Sequence, residues 1–332
     1  MTEKAIDLIL VQQQKWAKGK TKTLVSGKII DGEECEDKNY LETIEDNLFP
    51  IDEPKGLRSE NIDAYNKGGG SETKTITHRP KMSALHSSSA LVVNLFQYWQ
   101  NQEINKTPLL IALGLVNDND KVGDVKKIKF EEKLQIKYKD GEIIKKVKFG
   151  TPNLDVMIEF GDKIIAIESK FTEPYINESD KNSKMQDSYI EKESLWRGIP
   201  HIEKLAKAIH TQNYQIENCK IKESIKVLRK TKRLDVAQLI KHILGLRTDD
   251  DKEILKNKEI ILLYLWYDVP NSEEAKEHQE EIEAFASIAK ADGINFRHIT
   301  YQKVIENLDK KEYKNIKKFE EYIKYLKNRY KK

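Results

Sequence analysis

The stretch TPNLDVMIEFGDKIIAIESKF, residues 151–171, decides how this chain is read. Two runs within it, LDVMIEF at 154–160 and KIIAIESKF at 163–171, have strand composition and are joined through Gly161-Asp162, which predicts two strands and a tight turn. Ile164, Ile165, Ala166 and Ile167 are apolar at consecutive positions, so the second strand must be covered on both faces. Alternation then puts Glu168 and Lys170 on one face at its end. A carboxylate and an ammonium drawn toward low dielectric are costly unless compensated. The short hairpin supplies a candidate neighbour, because it brings Asp155 alongside Glu168.

Two carboxylates converging from adjacent strands form a hard oxygen site of the kind Mg²⁺ prefers, since that ion keeps several waters and takes few protein ligands. A lysine beside it can orient or deprotonate water, or stabilise charge building on a phosphoryl oxygen. These parts point to metal-assisted hydrolysis of a phosphodiester. The Glu-x-Lys spacing alone carries little weight, since it recurs at Glu36/Lys38, Glu53/Lys55, Glu72/Lys74, Glu131/Lys133 and Glu274/Lys276. The apolar strand before Glu168 and the Asp155 strand before that set this instance apart. Without a metal, the same residues would be a strand-end ion pair.

Outward from this hairpin the periods change. Residues 127–138 and 142–149 alternate around a turn at Lys139-Asp140-Gly141-Glu142, so four consecutive strand segments predict an antiparallel meander. Upstream, HSSSALVVNLFQYWQN reads as a helix whose serines at 87–89 cap its first turn or hold a phosphate there. Downstream, RLDVAQLIKHILGL at 233–246 is helical, ILLYLWY at 261–267 and INFRHITY at 294–301 are strand-like, and 273–290 is a long helix between them. The mixed order predicts an α/β or α+β sheet layered with helices.

Pro152 and Asp155, then Glu168-Ser169-Lys170 after a twelve-residue gap, resemble the PD-(D/E)xK nuclease superfamily, which includes many restriction endonucleases. The spacing Pro152-Asn153-Leu154-Asp155 departs from an adjacent Pro-Asp. The resemblance implies a restriction-endonuclease-like αβββαβ core with a mixed central sheet flanked by helices, to which this chain adds further helices. It implies Asp155 and Glu168 as metal ligands, Lys170 as the residue that positions or activates water, and Mg²⁺ as cofactor with Mn²⁺ able to substitute. Gln238 and His242, one helical turn apart, are similar to a Gln-x-x-x-Tyr element of some members with His in place of Tyr. A third acidic ligand is expected, with Glu131, Glu132 and Glu159 as candidates between which the sequence does not choose; Glu159 shares a face with Asp155 but lies about 13 Å along the strand. SSSALVVNLF, ESKFTEP and HQEEIEAF together resemble a family of bacterial restriction endonucleases over residues 84–308.

The expected activity is therefore that of a type II restriction-type DNA endonuclease in phage defence, with double-stranded DNA as partner. A repair or recombination nuclease reading DNA structure, or a non-catalytic DNA-binding module, are the alternatives. One site per chain cuts two strands most simply as a homodimer, and a restriction role implies a cognate DNA methyltransferase.

Composition bounds the rest. The chain of 332 residues carries 58 Lys and Arg against 55 Asp and Glu, so DNA affinity must come from local clusters and not from net charge. The longest apolar run, Ile260 to Tyr267, is too short to cross a bilayer. MTEKAIDLILVQQQKW has no export-signal pattern, and two cysteines make no disulfide framework, so a cytoplasmic protein is expected. Seven histidines and two cysteines without ligand spacing disfavour HNH and deaminase chemistry. The expected organisation is a mostly helical region at 1–82 with a Gly-rich loop, a nuclease core at 83–308 and a basic amphipathic helix at 309–332. An insertion at 172–232 is expected to contact DNA through Lys184, Arg197 and Lys204, beside Tyr189, Trp196 and His201. For the basic helix, a solvated face and a phosphate-facing one are both open.

Overall fold

The computed structural model describes residues 4–30, 33–34, 38–51, 56–68, 72–74, 78–117, 125–147, 150–176, 185–211, 215, 220–249, 251–310 and 318–331. At its centre is a five-stranded mixed sheet of β1 (Val125–Lys133), β2 (Asn153–Phe160), β3 (Lys163–Lys170), β4 (Glu259–Trp266) and β5 (Phe296–Thr300). In space the order is β5-β4-β3-β2-β1. β1, β2 and β3 are antiparallel neighbours, while β3, β4 and β5 run parallel. The sheet is flanked by α1 (Ala5–Gly19), α2 (Ser59–Gly68), α3 (Ser88–Phe96), α4 (Pro200–His210), α5 (Val236–Thr248), α6 (Glu273–Ala291) and α7 (Phe319–Tyr330), and since a parallel neighbour needs a crossover, helices between the parallel strands supply it. Among them α5 links β3 to β4 and α6 links β4 to β5. Right-handed crossovers in one direction put both on the same face of the sheet.

Ile164 to Ile167 on β3 are buried, as the unbroken apolar run requires. One apolar cluster extends from Ala5 of α1 through the sheet to Tyr330 of α7. The helix starts follow the capping residues: Ser87 Oγ accepts from Ala90 N at 3.1 Å, and Asp235 Oδ1 accepts from Gln238 N at 2.8 Å. Ser87 thus caps α3, and Ser89 hydrogen-bonds Glu72.

The expected four-segment meander needs correction. Strand β1 ends at Lys133, and Lys137–Asp140 pairs with Ile143–Lys146 in a separate two-stranded ribbon. Pairing with the β2 side persists to Leu134, whose backbone N–H donates to Pro152 O at 2.9 Å, and the chain leaves the central sheet beyond it. Residues 148–149, at the end of the expected second segment, lie outside the described residues. The region before residue 83 holds α1 and α2 but also short strand pairs, Leu24–Val25 with Tyr40–Leu41 and Ile29–Ile30 with Glu33–Glu34. Gly69 and Gly70 of the Gly-rich loop lie outside the described residues. Among the described residues no helix is long and apolar enough to cross a membrane.

Candidate active site

Register places the acids at one level. On β1 and β2, Phe130 pairs Val156 and Glu132 pairs Leu154, so Glu131 stands opposite Asp155. Val156 pairs Ile167 on β3, so the next step sets Asp155 opposite Glu168, and Glu168 pairs Tyr264 on β4. Three carboxylates therefore line up across three neighbouring strands.

Glu168 is buried and held from two sides: Lys170 Nζ lies 2.6 Å from its Oε1, and His242 Nε2 lies 2.7 Å from its Oε2. Lys170 Nζ also donates to Gln238 Oε1 at 3.0 Å. Gln238 and His242 are successive turns of α5, so the Asp235 cap that starts this helix sets the registration of both. Asp155 Oδ2 accepts from Ser169 N at 2.7 Å. Ser169 Oγ and the buried Tyr301 hydroxyl are hydrogen-bonded at 2.6 Å, anchoring the residue between Glu168 and Lys170.

The two carboxylates have opposite electrostatics. Burial raises the pKa of both, but for Glu168 the neighbouring Lys170 and His242 more than offset it, and the value falls to about 2. Asp155 is pushed well above the usual carboxylate range by burial and then by the charge of Glu168, which Lys170 and the Ser169 N–H only partly counter. Burial opposes the charge on Lys170, yet Glu168, Glu173 and Asp155 together raise its pKa above that of an ordinary lysine. In the metal-free protein these acids therefore hold Lys170 as a cation.

Glu131 departs from strand geometry with φ at 51°, in the left-handed region that a non-glycine residue rarely adopts. Asn153 hydrogen-bonds its carboxylate. Glu132 points elsewhere, to Lys252 and to Lys129, so of these two neighbouring acids only Glu131 joins the cluster. Glu159 sits at the far end of β2 with Lys126 Nζ at 3.8 Å. Reading the sequence did not anticipate Tyr65, Glu72 or Tyr301. Tyr65 is buried against Phe130 within the field of Glu131 and Asp155, and Glu72 raises the pKa of Glu131. A Cβ on Gly68 would come within 2.7 Å of Glu131 Oε2, so the end of α2 reaches the cluster and a larger residue there would displace the Glu131 carboxylate.

Burial, then Glu72 and Glu168, push the pKa of Glu131 up to about 7, against the pull of Asn153 and Lys133. A folded pKa above the ordinary 4.5 means that ionising Glu131 costs stability, beginning above about pH 4.5 and growing through pH 7. In metal-free buffer, Glu131→Gln should stabilise the fold more at pH 8 than at pH 5, by about 1–3 kcal/mol after allowing for partial solvent screening, read as a larger gain in melting temperature at pH 8. Equal gains at both pH values would show that Glu131 does not titrate in this window.

The expected DNA contacts fare unevenly. Lys184 lies outside the described residues. Arg197 is exposed, and its carbonyl accepts from Arg247 Nη2 at 3.0 Å. Lys204 lies on α4 and is half-buried. Tyr189 and Trp196 are core residues, the Trp196 ring N–H donating to Tyr189 O at 3.2 Å, so neither ring is available to nucleic acid. His201 is tied to Asp292, whose carboxylate accepts from His201 N and Ile202 N and caps α4.

A family model described as "Restriction Endonuclease associating with ARP" matches residues 13–331. The chain belongs to this family. The match takes in the whole sheet, α5 and the residues gathered around Glu168. Searches of curated proteins and of solved structures found no match. Membership of a restriction endonuclease family makes a nuclease the coarse functional assignment.

The donor set suits a hard cation. Asp155 and Glu168 offer carboxylate oxygens, and their mutual repulsion is what a cation would relieve. Among the described residues no three His, Cys, Asp or Glu side chains form a ligand cluster by themselves. One or two carboxylates completed by water is the pattern of Mg²⁺, whereas structural zinc takes four protein ligands.

Proposed function

We propose that this chain is a Mg²⁺-dependent endodeoxyribonuclease of the PD-(D/E)xK type, acting as a type II restriction enzyme in phage defence. The observation that carries the reading is the convergence of Asp155, Glu168 and Lys170 at the adjoining ends of β2 and β3, with Lys170 Nζ 2.6 Å from Glu168. A bound Mg²⁺ would supply Lewis acidity and a nucleophilic water at neutral pH. Asp155 and Glu168 would hold it. Lys170, kept cationic by the surrounding acids and aimed by Gln238, orients water and stabilises charge on a phosphoryl oxygen. His242 holds the second oxygen of Glu168 in place. Ser169 and Tyr301 fix the backbone between the two working residues.

Double-strand cleavage is most simply accomplished by a two-fold dimer, and a cognate methyltransferase would protect host DNA. The family description names an association with ARP, and the proposal extends to such an association for this chain. The direct test is plasmid cleavage with Mg²⁺, Mn²⁺ or Ca²⁺, beside calorimetry of each ion in the presence of duplex. Cleavage is expected with Mg²⁺ and Mn²⁺, while Ca²⁺ should bind without turnover. Absence of heat from any divalent ion would refute the metal-dependent reading.

A further inference from the structure

The connection between β1 and β2 is not a plain loop. Between the strand that carries Glu131 and the strand that carries Asp155, the chain builds the ribbon Lys137–Asp140 and Ile143–Lys146 around the two-residue turn Gly141-Glu142, with Gly141 at φ 62°. Its base is clamped. Lys137 N donates to Thr248 Oγ1 at 3.0 Å, Lys137 Nζ lies 2.5 Å from Asp251, and Lys139 N donates to Ser194 Oγ at 3.0 Å. Its tip is not. Ile143 and Ile144 are 63% and 54% exposed, more than any other large apolar residue among those described.

Neighbours on a strand point to opposite faces, so two consecutive exposed isoleucines mean that the tip is clear of the body on both sides. Two-stranded ribbons of this width fit the major groove of B-DNA, and isoleucine is among the side chains that press apolar surface against bases or between base steps. Charge favours nucleic acid over protein as the occupant. The ribbon exposes Lys139, Lys145 and Lys146 beside Asp140 and Glu142, and lysine is depleted where proteins dock on proteins. Lys145 pairs with Asp140 at 2.5 Å and Lys146 with Asp251 at 3.3 Å, but exposed pairs of this kind are weak and yield readily to phosphate.

We infer that the 137–146 ribbon enters a groove of duplex DNA tip first, carrying Ile143 and Ile144 on its two faces into the groove and Lys139 and Lys146 to flanking phosphates. The inference rests on the nuclease reading above and names where that enzyme grips its substrate. Because the ribbon's two ends continue into the strands of Glu131 and Asp155, grip and cleavage site are joined through a few residues of backbone.

The test is duplex binding in Ca²⁺ at several salt concentrations, with light scattering on the same samples, for wild type and two double variants. Ile143→Ser with Ile144→Ser should weaken binding by about tenfold or more at unchanged salt slope, since apolar contacts release no counterions. Lys139→Gln with Lys146→Gln should make the slope shallower by about two. Both variants should melt like wild type, because the altered side chains are exposed. Isoleucine variants that bind as wild type overturn the inference while leaving the nuclease reading intact, as does a change in subunit number without loss of DNA affinity. A wild-type protein that binds no duplex overturns both.

Discussion

Asp155→Asn and Glu168→Ala should both abolish cleavage while shifting stability in opposite directions. Losing either carboxylate should lower the cleavage rate by two orders of magnitude or more, a loss of about 2.7 kcal/mol or more of transition-state stabilisation. Stability separates them because their surroundings differ. Asp155 is pushed above its ordinary pKa by burial and by Glu168, so its ionised form is disfavoured by folding. That cost begins as pH rises above about 3.8 and grows with pH up to the folded pKa. Asparagine keeps an acceptor for the Ser169 N–H and should add about 0.5–2 kcal/mol near neutral pH.

Glu168 behaves oppositely. Its pKa of about 2 lies below the ordinary value because Lys170 and His242 more than offset burial. The stability it contributes is fully present above about pH 4.5 and is lost as pH falls toward 2. Alanine would strand a buried ammonium and should cost about 3–5 kcal/mol. Thermal melts at pH 7 beside plasmid cleavage decide the matter, with Glu168→Gln as a gentler partner should the alanine variant fail to fold. Asp155→Asn melting early, or either folded variant cleaving at the wild-type rate, would defeat this account of the site.

The second large effect lies away from the site. Arg329 on α7 is fully buried, yet its partners are neutral: its guanidinium donates to Gln13 Oε1 at 2.9 Å, to Asn47 O at 2.7 Å and to the Tyr325 hydroxyl at 2.7 Å. It lies 4.0 Å from the centre of the Trp16 ring. Gln13 and Trp16 belong to α1, so one cation joins α1, α7 and the segment around Asn47. Arg329→Ala would remove these bonds together, leave buried acceptors unmet and open a cavity. A loss of about 3–5 kcal/mol is expected, seen as a lower denaturation midpoint in urea. Cleavage by the folded fraction should be unchanged. A loss below about 1 kcal/mol would show that the helices dock without it. The same packing bears on the basic segment at 309–332. Tyr322, Ile323, Leu326 and Tyr330 are buried, so deleting this segment would test folding before any phosphate contact.

The strands 154–160 and 163–170, the long helix after Ser272 and the convergence of Asp155 with Glu168 and Lys170 were legible in the sequence because they rest on local rules. A period of two, a capping serine and a two-residue turn are properties of neighbouring residues, and a hairpin that short leaves little freedom in what faces what. The superfamily resemblance rests on the same segment and on the order of elements after it, whereas the family assignment rests on a match over residues 13–331.

Tertiary structure alone decided the rest. Alternation cannot tell a strand that joins the central sheet from one that pairs only with its own hairpin partner, so the ribbon at 137–146 was misplaced. It cannot choose Glu131 over Glu132 until the register of β1 against β2 is known. The aromatic residues Tyr189 and Trp196 carry no mark that distinguishes a core ring from a base-stacking one. Tyr65, Glu72 and Tyr301 reach the cluster from segments far from it in the chain, and no spacing rule connects them. The opposite pKa shifts of Asp155 and Glu168 come from which cations the fold brings within hydrogen-bond reach of each oxygen. Local pattern determines what a segment can be, whereas charge, burial and partnership depend on distances that arise only when remote segments pack.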